Sequence, residues 1–455
     1  MTGPGRPAAR RTPPDSTAAD AMARHSAASD GTARDGAASD IADPGLAAVG
    51  WPRIAWAERA MPVLALMQAR LAGQRPFAGL TIAACLHVTA ETAVLVNLIR
   101  AGGGRIRLAA SNPLSTRDDI AAALARLPEV TIFARSGVDR GTYYEHIHRA
   151  LDCRPDLVID DGCDLVNTLH AERAELLPGV RGGCESTSTG AARLRRMAAA
   201  GALAFPMFAA DASVTRRMYD NRYGTGQSVI DGIMRATNTL LAGKTVVVAG
   251  YGACGAGIAE RARGLGAHVL VTEVNPVRAL DAIMQGFGVL PLADAAPRGE
   301  VFITATGSRD VIGAAELSVM RDGAILANAG HFDVEVDVRA LAGLAVEVNT
   351  AVRPYADEYV LADGRRLILL AEGRVVNLVA GEGNPAAVMD LSFAVQALAL
   401  VWLATGEAVP EPGVHDIPAT IDAQIAKLTL ASLGTAIDEL TPAQQRYLDS
   451  WRHGS

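Results

Sequence analysis

The sequence has little of several features that characterise other classes of protein. Only 4% of its 455 residues are aromatic, and its five cysteines are scattered without a CxxC pair. An odd, dispersed set of cysteines is typical of reduced thiols in a cytoplasm rather than of a disulfide framework. Excess positive charge is also absent, because the formal net charge is −7. The composition therefore favours a cytoplasmic globular protein and predicts no nucleic-acid partner.

Long hydrophobic runs and targeting signals are equally scarce. The strongest apolar run, residues 391–404, has 14 residues and contains Gln396, so we expect a buried helix rather than a membrane span. Residues 1–40 contain almost no large apolar side chain, which argues against a signal peptide and predicts a disordered tail. No membrane partner is expected.

One stretch, residues 244–273, organises the rest of the chain. A β-branched strand at 245–249 enters a turn with Gly250, Gly252 and Gly255, and a helix over 256–265 and a strand over 268–273 follow. These glycines permit a tight turn, the approach of backbone N–H groups to a pyrophosphate, and close packing of helix on strand. The helix N-terminus adds partial positive charge for phosphates.

The acid that ends this unit selects between the two nicotinamide dinucleotides. Glu273 lies about 20 residues beyond the glycines, where an acid accepts a bond from a ribose 2′-OH and repels a 2′-phosphate. The stretch therefore predicts an NAD site rather than an incidental glycine turn. Arg278, five residues further on, keeps NADP open as the alternative.

Strands and helices alternate through the first half of the chain as well. Apolar, strand-like runs at 80–86, 105–110, 130–134 and 156–161 are separated by helical patterns at 90–101 and 141–151, after an amphipathic helix over 53–72. Such alternation predicts an α/β fold with two doubly wound, parallel-sheet (Rossmann-like) domains. We predict a discontinuous substrate domain (41–226 and 385–432), an NAD-binding domain (227–384) and a short C-terminal helical segment (433–455).

Five polar clusters follow predicted strands, where ligands of such sheets bind. They span residues 87–91, 112–118, 160–164, 185–190 and 216–221. Each cluster alone has an ordinary explanation, because Thr, Ser and Asp after a strand are common helix N-caps and a single histidine is usually structural. Five such clusters in succession, followed along the chain by a dinucleotide-binding domain, favour a catalytic site.

The chain resembles the S-adenosylhomocysteine hydrolase (adenosylhomocysteinase) family over roughly residues 40–450. The matching stretches are Cys85-Leu-His-Val-Thr-Ala-Glu-Thr-Ala, Val158-Ile-Asp-Asp-Gly, Leu177-Pro-Gly-Val-Arg-Gly-Gly, Tyr219-Asp-Asn-Arg-Tyr-Gly, Val248-Ala-Gly-Tyr-Gly, Gly330-His-Phe-Asp-Val-Glu and Leu370-Ala-Glu-Gly-Arg-Val-Val-Asn. The resemblance implies that bound NAD oxidises the ribose 3′-OH of an adenosine-type nucleoside. A base then removes the acidified C4′ proton, and the group on C5′ leaves by β-elimination. It also implies a homo-oligomer, by resemblance a tetramer, and no metal.

The resemblance assigns roles residue by residue. It implies catalytic roles for His87 and Asp161 at the leaving group, for Arg216 and Asp220 at the 3′-OH, and for His331. It implies substrate contacts for Thr89, Glu91, Ser186 and Asn384. The implied cofactor contacts are Thr187, Ser188, Thr189, Asn221, Gly250, Gly252, Ala253, Cys254, Gly255, Glu273, Arg278, Ala329, Gly330, His331 and Asn377.

Three positions depart from the family pattern. Ser186 stands where the family has a second glutamate that holds the ribose hydroxyls, Arg216 where it has a lysine, and Asn384 where it has the histidine of a Gly-His-Pro turn beside the purine. A guanidinium can stabilise an oxyanion but cannot act as a base, so removal of the C4′ proton shifts to Asp220 or a water. Two of the three changes surround the sugar.

Three hypotheses follow from this pattern. The first is an NAD-dependent enzyme that eliminates a C5′ group, water above all, from an altered adenosine-type nucleoside. The second is an ordinary S-adenosylhomocysteine hydrolase that tolerates the substitutions. The third is a non-catalytic NAD-binding paralogue.

Overall fold

The computed structural model describes residues 38–406 and 410–452. The tail predicted over residues 1–40 lies outside the described residues up to residue 37. The chain divides into two compact units. Among the described residues, the first comprises those up to Ala60, Arg70–Met207 and those within Val401–Gly413, and the second comprises Met61–Ala69, Phe208–Leu400 and those from Val414 onward. The domain boundaries given above stay a prediction.

Sixteen strands among the described residues form two eight-stranded sheets. In chain order they are β1 (Asp40–Ile41), β2 (Thr81–Leu86), β3 (Arg105–Ala110), β4 (Val130–Ala134), β5 (Leu157–Asp160), β6 (Gly182–Glu185), β7 (Pro206–Ala209), β8 (Thr245–Ala249), β9 (His268–Thr272), β10 (Gly288–Val289), β11 (Val301–Thr304), β12 (Ala324–Asn328), β13 (Ala345–Arg353), β14 (Ala356–Leu361), β15 (Arg366–Leu370) and β16 (Gly413–Asp416).

The first sheet has the strand order β1-β4-β3-β2-β5-β6-β7-β16. Its pairings from β1 through β6 are parallel. All residues of β2 and β5 are buried, as expected for parallel strands with both faces covered. Because β2 pairs with β5 and β5 with β6, the loops after these three strands lie side by side at the carboxyl edge.

The second sheet has the order β10-β9-β8-β11-β12-β15-β14-β13. It is parallel from β10 to β15 and ends in the antiparallel strands β14 and β13. Its two faces are packed by separate apolar clusters, one around Val246 and Val248 and the other around Val247 and Phe302. The fold is therefore α/β with two largely parallel sheets, as predicted.

The α-helices and the π-helix of at least four residues lie between these strands or, for the last two, after β16. They are Ala47–Arg59, Pro62–Gln74, Ala90–Ala101, Asp118–Leu124, Arg140–Leu151, Asp164–Glu172, Ser188–Ala199, the π-helix Arg217–Gly224, Thr225–Thr237, Ala253–Gly264, Pro276–Met284, Leu292–Ala295, Ala314–Val319, Val338–Leu344, Val376–Val379, Ala386–Thr405, Ala419–Ser432 and Pro442–Leu448.

Three helix predictions need correction. The helix expected over 53–72 is two helices, because Pro62 lacks an N–H and begins a new helix after Ala60 and Met61. The helix after the glycine turn begins at Ala253 rather than 256. Within the described part of 433–455, only Pro442–Leu448 is helical.

The apolar run 391–404 belongs to the 20-residue helix Ala386–Thr405. By length and composition this helix could cross a membrane, although the sequence run alone was too short to suggest it. However, 61% of its most apolar 18-residue window is buried, as in the core helix of a globular protein.

Candidate active site

The loops after three neighbouring strands of the first sheet bring a histidine, an aspartate and a serine close together. His87 follows β2, Asp161 follows β5 and Ser186 follows β6. His87 Nε2 lies 3.2 Å from Asp161 Oδ2, and Ser186 Oγ donates to Asp161 Oδ1 at 2.9 Å. A weaker bond runs from Ser111 Oγ to Asp161 Oδ2 at 3.4 Å. The structure thus brings together the residues predicted at the leaving group.

Hydrogen bonds around His87 indicate where its protons lie. Ser115 Oγ lies 3.1 Å from the carbonyl oxygen of Asn112 and 2.7 Å from His87 Nδ1, and when it donates its single proton to Asn112 it accepts from Nδ1. With Nδ1 protonated, a bond between Nε2 and the carboxylate needs a second proton, because a neutral imidazole carries only one. In this tautomer the pair of His87 and Asp161 holds a proton that it can donate.

Two buried acids support the loops around this pair. Glu185 Oε1 accepts from Gly162 N at 2.9 Å and from Thr187 N and Oγ1, each at 2.8 Å. Burial raises the pKa of Glu185 to about 8, and the charge of Asp161 adds to the effect. Burial and the charge of Glu185 also raise the pKa of Asp160 well above its usual range. Sequence reasoning placed Glu185 in a polar cluster without giving it a role.

Several predicted contact residues also serve as helix caps or lie in first turns. Thr89 caps Ala90–Ala101 by accepting from Thr92 N, and Glu91 lies in the first turn of that helix. Thr187 caps Ser188–Ala199 by accepting from Gly190 N at 2.9 Å, and Ser188 and Thr189 open that helix. The ordinary capping role is therefore present, and their contacts with purine and cofactor stay a prediction.

In the second unit, Asp220 lies within the π-helix Arg217–Gly224. The N–H of Thr225 donates to the carbonyl of Asp220, five residues earlier, a rare pattern that is frequent at functional sites. Arg216 and Asp220 are both buried, and Arg216 Nε lies 3.2 Å from Asp220 Oδ2. Ser392 Oγ, from the helix Ala386–Thr405, donates to the same carboxylate oxygen at 2.6 Å.

Asn384 lies on the other side of this carboxylate. Its Nδ2 donates to Asp220 Oδ1, and its Oδ1 accepts from Ser228 Oγ at 2.7 Å. Asn377 Nδ2 in turn donates to Ser228 Oγ at 3.0 Å. Neither Ser228 nor Ser392 carried any sequence signal. The structure places the amide of Asn384 against Asp220, and its predicted contact with the purine stays a prediction.

The glycine turn fits a dinucleotide. Gly250 has a φ of +96°, and a Cβ there would lie 2.6 Å from the carbonyl oxygen of Ala305. A Cβ at Gly255 would lie 1.9 Å from the oxygen of Gly250. No side-chain oxygen caps the helix that starts after Gly252, with Ala253 and Cys254 in its first turn. Its N–H groups can therefore bind a pyrophosphate.

Backbone hydrogen bonds fix the carboxylate of Glu273, which directly follows β9. Its carboxylate accepts backbone N–H bonds from Tyr251 and Val274 at 2.7 Å and from Asn275 at 2.8 Å. Burial opposes ionisation, but these three bonds, with the nearby charge of Arg278, lower the pKa of Glu273. A carboxylate can accept about four bonds, so one remains for a ribose hydroxyl.

The end of β12 carries the predicted nicotinamide-side residues. Asn328 Oδ1 accepts from Gly330 N at 2.7 Å, which fixes the turn of Ala329, Gly330 and His331. Buried Glu335 accepts from Thr306 and Gly307 nearby. The buried Oδ1 of Asn377 has no hydrogen-bond partner among the described residues. An unpaired buried acceptor suits a carboxamide donor such as that of nicotinamide. Asn221, half-buried, follows Asp220 in the π-helix.

Comparisons with known proteins point to one family. The family models for S-adenosyl-L-homocysteine hydrolase and for its NAD binding domain match residues 38–177 and 221–383. The chain is 52% identical to the adenosylhomocysteinases of Thermosynechococcus vestitus and Aquifex aeolicus, over 88% of this chain and 93% and 95% of theirs. It is 51% identical to the S-inosyl-L-homocysteine hydrolase of Methanosarcina acetivorans, over 88% and 96%. The chain belongs to the S-adenosyl-L-homocysteine hydrolase family and has NAD as its cofactor.

Proposed function

We propose that the enzyme eliminates water from C5′ of an adenosine-type nucleoside, after transient oxidation at C3′. The observation that carries the proposal is the 3.2 Å approach of His87 Nε2 to Asp161 Oδ2, with Ser186 donating to the same carboxylate. A thiol with a pKa near 8.5 leaves readily as a thiolate, whereas hydroxide, the conjugate base of water with a pKa of about 15.7, needs a proton donor. A proton donor that is held in place by several hydrogen bonds is therefore most useful when the leaving group is a hydroxyl.

The chain's own residues are proposed to supply groups for the 3′-oxygen and a proton donor for the leaving group. NAD, when bound, supplies the oxidation of the 3′-OH and its reversal. Arg216 and Asp220 orient the 3′-oxygen, and the guanidinium stabilises negative charge that develops there. Asp220 or a water takes the C4′ proton, and the C5′–O bond breaks as the C4′–C5′ double bond forms. His87 gives its proton to the departing oxygen, which leaves as water.

Ser186 is the position that distinguishes this reaction from the family pattern. Where the resemblance expects a glutamate on the ribose hydroxyls, the shorter serine donates to Asp161 instead. This substitution removes a carboxylate from the sugar and leaves room for an additional ribose substituent. The substrate is therefore proposed to be a modified adenosine-type nucleoside.

Hydrolysis of S-adenosylhomocysteine to adenosine and homocysteine is the second candidate. Its support is the 52% identity to relatives named as adenosylhomocysteinases. The name of the Methanosarcina relative shows that hydrolases of this similarity also act on an inosyl compound. Adenine and hypoxanthine are therefore both candidates for the purine base of the substrate.

A product assay separates these candidates. The holoenzyme is incubated with S-adenosylhomocysteine, S-inosylhomocysteine, adenosine and ribose-modified adenosines, and products are identified by mass spectrometry. Loss of 18 mass units from a nucleoside supports the dehydratase, whereas robust release of homocysteine would refute it. The double variant Ser186→Glu/Arg216→Lys restores the family residues, and under our proposal it loses native activity rather than gaining it.

Three further properties complete the proposal. The enzyme is proposed to work in the cytoplasm, as a homo-oligomer, without a nucleic-acid or membrane partner. A non-catalytic NAD-binding role is disfavoured because His87, Asp161, Asp220 and His331 are all present. Absence of any NADH absorbance with every nucleoside tested would favour that role.

A further inference from the structure

We propose that Asn384 is a positioning residue for the carboxylate of Asp220, which it holds in one orientation and connects to Asn377. This inference rests on the part of the proposed function that is common to both candidate reactions, the oxidation at C3′. It assigns Asn384 to the sugar side of the site, not to the purine.

The polarity of the bonds fixes the orientation of the Asn384 amide. An ionised carboxylate can only accept, so the group that faces Asp220 Oδ1 is the Nδ2 donor. Its Oδ1 accepts from Ser228 Oγ at 2.7 Å, and Ser228 can then accept from Asn377 Nδ2 at 3.0 Å. Four residues thus form a one-directional chain of hydrogen bonds from Asn377 to Asp220.

The other side of Asp220 is held equally firmly. Ser392 Oγ donates to Oδ2 at 2.6 Å, and Arg216 Nε lies 3.2 Å from the same oxygen. The charge of Asp220 also acts on the thiol of Cys254, whose pKa burial raises to about 12. Cys254 therefore stays neutral, and Arg216 is the cation that faces Asp220.

The local backbone makes room for this arrangement. A Cβ at Gly224, the last residue of the π-helix, would lie 3.1 Å from Asn384 Cγ and 2.7 Å from Val388 Cγ1. Only a glycine at position 224 allows the amide to approach without displacement of these neighbours. An amide also keeps one donor and one acceptor at every pH, whereas a protonated histidine has only donors and could not accept from Ser228.

The test follows the oxidation step alone. Holoenzyme is mixed with adenosine or another 3′-OH nucleoside, and the NADH absorbance is recorded against pH, with 3′-deoxyadenosine as the inert control. Asn384→Asp keeps the shape but places two carboxylates in contact, and such a pair shares one proton. We expect its oxidation rate to fall with rising pH as the shared proton is lost, and to recover at low pH. We expect no such change in wild type.

Two further variants separate positioning from other roles. Asn384→Ala should lower the oxidation rate about tenfold to a hundredfold, as for a lost bond to a charged group, with little change in KM. Asn349→Asp is the matched control, because Asn349 Nδ2 also donates to a carboxylate, Glu358 Oε1 at 3.2 Å, on the strand pair of β13 and β14. It should leave the pH profile unchanged. Bound NAD and thermal melting confirm that each variant is folded.

Two results would overturn the inference. One is a pH profile of Asn384→Asp parallel to that of wild type, and the other is an increase in KM alone for Asn384→Ala, which would indicate a substrate contact. Failure of the proposed function is distinguishable, because homocysteine release with normal oxidation refutes only the dehydratase. Absence of oxidation by wild type with every nucleoside would refute both.

Discussion

Glu185 should make the folded state less stable as the pH rises. Its carboxyl is fully buried, and burial raises its pKa from 4.5 to about 8. Between these two values the native state binds more protons than the unfolded state, so the free energy of unfolding falls with pH at up to about 1.4 kcal/mol per pH unit. The loss begins near pH 4.5 and is complete near pH 8. Its upper limit is roughly 5 kcal/mol, from the difference of the two pKa values.

Glu185→Gln is the perturbation that isolates this effect. The glutamine oxygen can replace Oε1 as the acceptor that faces Gly162 and Thr187. Its NH₂ group replaces Oε2, which is buried without a hydrogen-bond partner among the described residues. The variant therefore mimics the protonated acid, and at pH 5 its stability should lie within about 1–3 kcal/mol of wild type, the cost of an unpaired buried donor.

Denaturant unfolding of the NAD-bound enzyme at pH values from 5 to 9 gives the comparison. Relative to wild type, the variant should become more stable as the pH rises, by an amount that grows up to pH 8 and then levels off. Glu439→Gln changes an exposed glutamate and serves as the control with an unchanged pH dependence. Parallel pH profiles for wild type and Glu185→Gln would refute the reasoning, because they would mean that Glu185 does not change its pKa on folding.

Three other predictions concern separate parts of the structure. Gly255→Ala places a Cβ 1.9 Å from the Gly250 oxygen and should abolish copurification of NAD. Gly264→Ala, in the same helix but with no atom within 4 Å of the added Cβ, should retain NAD. Equal NAD content in the two variants would contradict the predicted clash. Ser186→Ala removes the donor to Asp161 and should slow elimination about tenfold while the NADH absorbance step is unaffected; slower oxidation would indicate a sugar contact instead. Burial raises the pKa of Asp390 from 3.8 to about 6, so the free energy of unfolding should decline between about pH 4 and 6 by roughly 3 kcal/mol. Asp390→Asn should remove this decline, as measured by unfolding titrations. An unchanged dependence of the free energy of unfolding on pH would be inconsistent with the raised pKa.

Local patterns in the sequence were enough to predict the elements that position the cofactor. The strand 245–249, the glycine turn and the acid at 273 follow one another within 30 residues, so their geometry is set by neighbouring residues. The helix expected over 53–72 was wrong because apolar spacing continues through Pro62, where the backbone must break. Periodicity reports which face is buried, but not where a helix begins.

The network around Asp220 could not be read from the sequence. Its bonds to Asn384 and Ser392 join residues 164 and 172 positions apart, and the bond of Ser228 to Asn384 spans 156. Such pairings depend on how the helix Ala386–Thr405 packs, and no local spacing encodes that. The resemblance identified Asp220 and Asn384 separately, whereas the contact between them came only from the structure.

The three backbone bonds of Glu273 bear on the redesign of cofactor preference. The carboxylate that is predicted to discriminate against a 2′-phosphate also joins Tyr251 in the glycine loop to Val274 and Asn275 after β9. Exchange of this acid for a neutral or basic side chain would therefore loosen the loop while it admits the phosphate. An engineered NADP-dependent variant would first need other hydrogen-bond acceptors for these backbone N–H groups. Cofactor selectivity and the conformation of the loop can therefore only be changed together at this position.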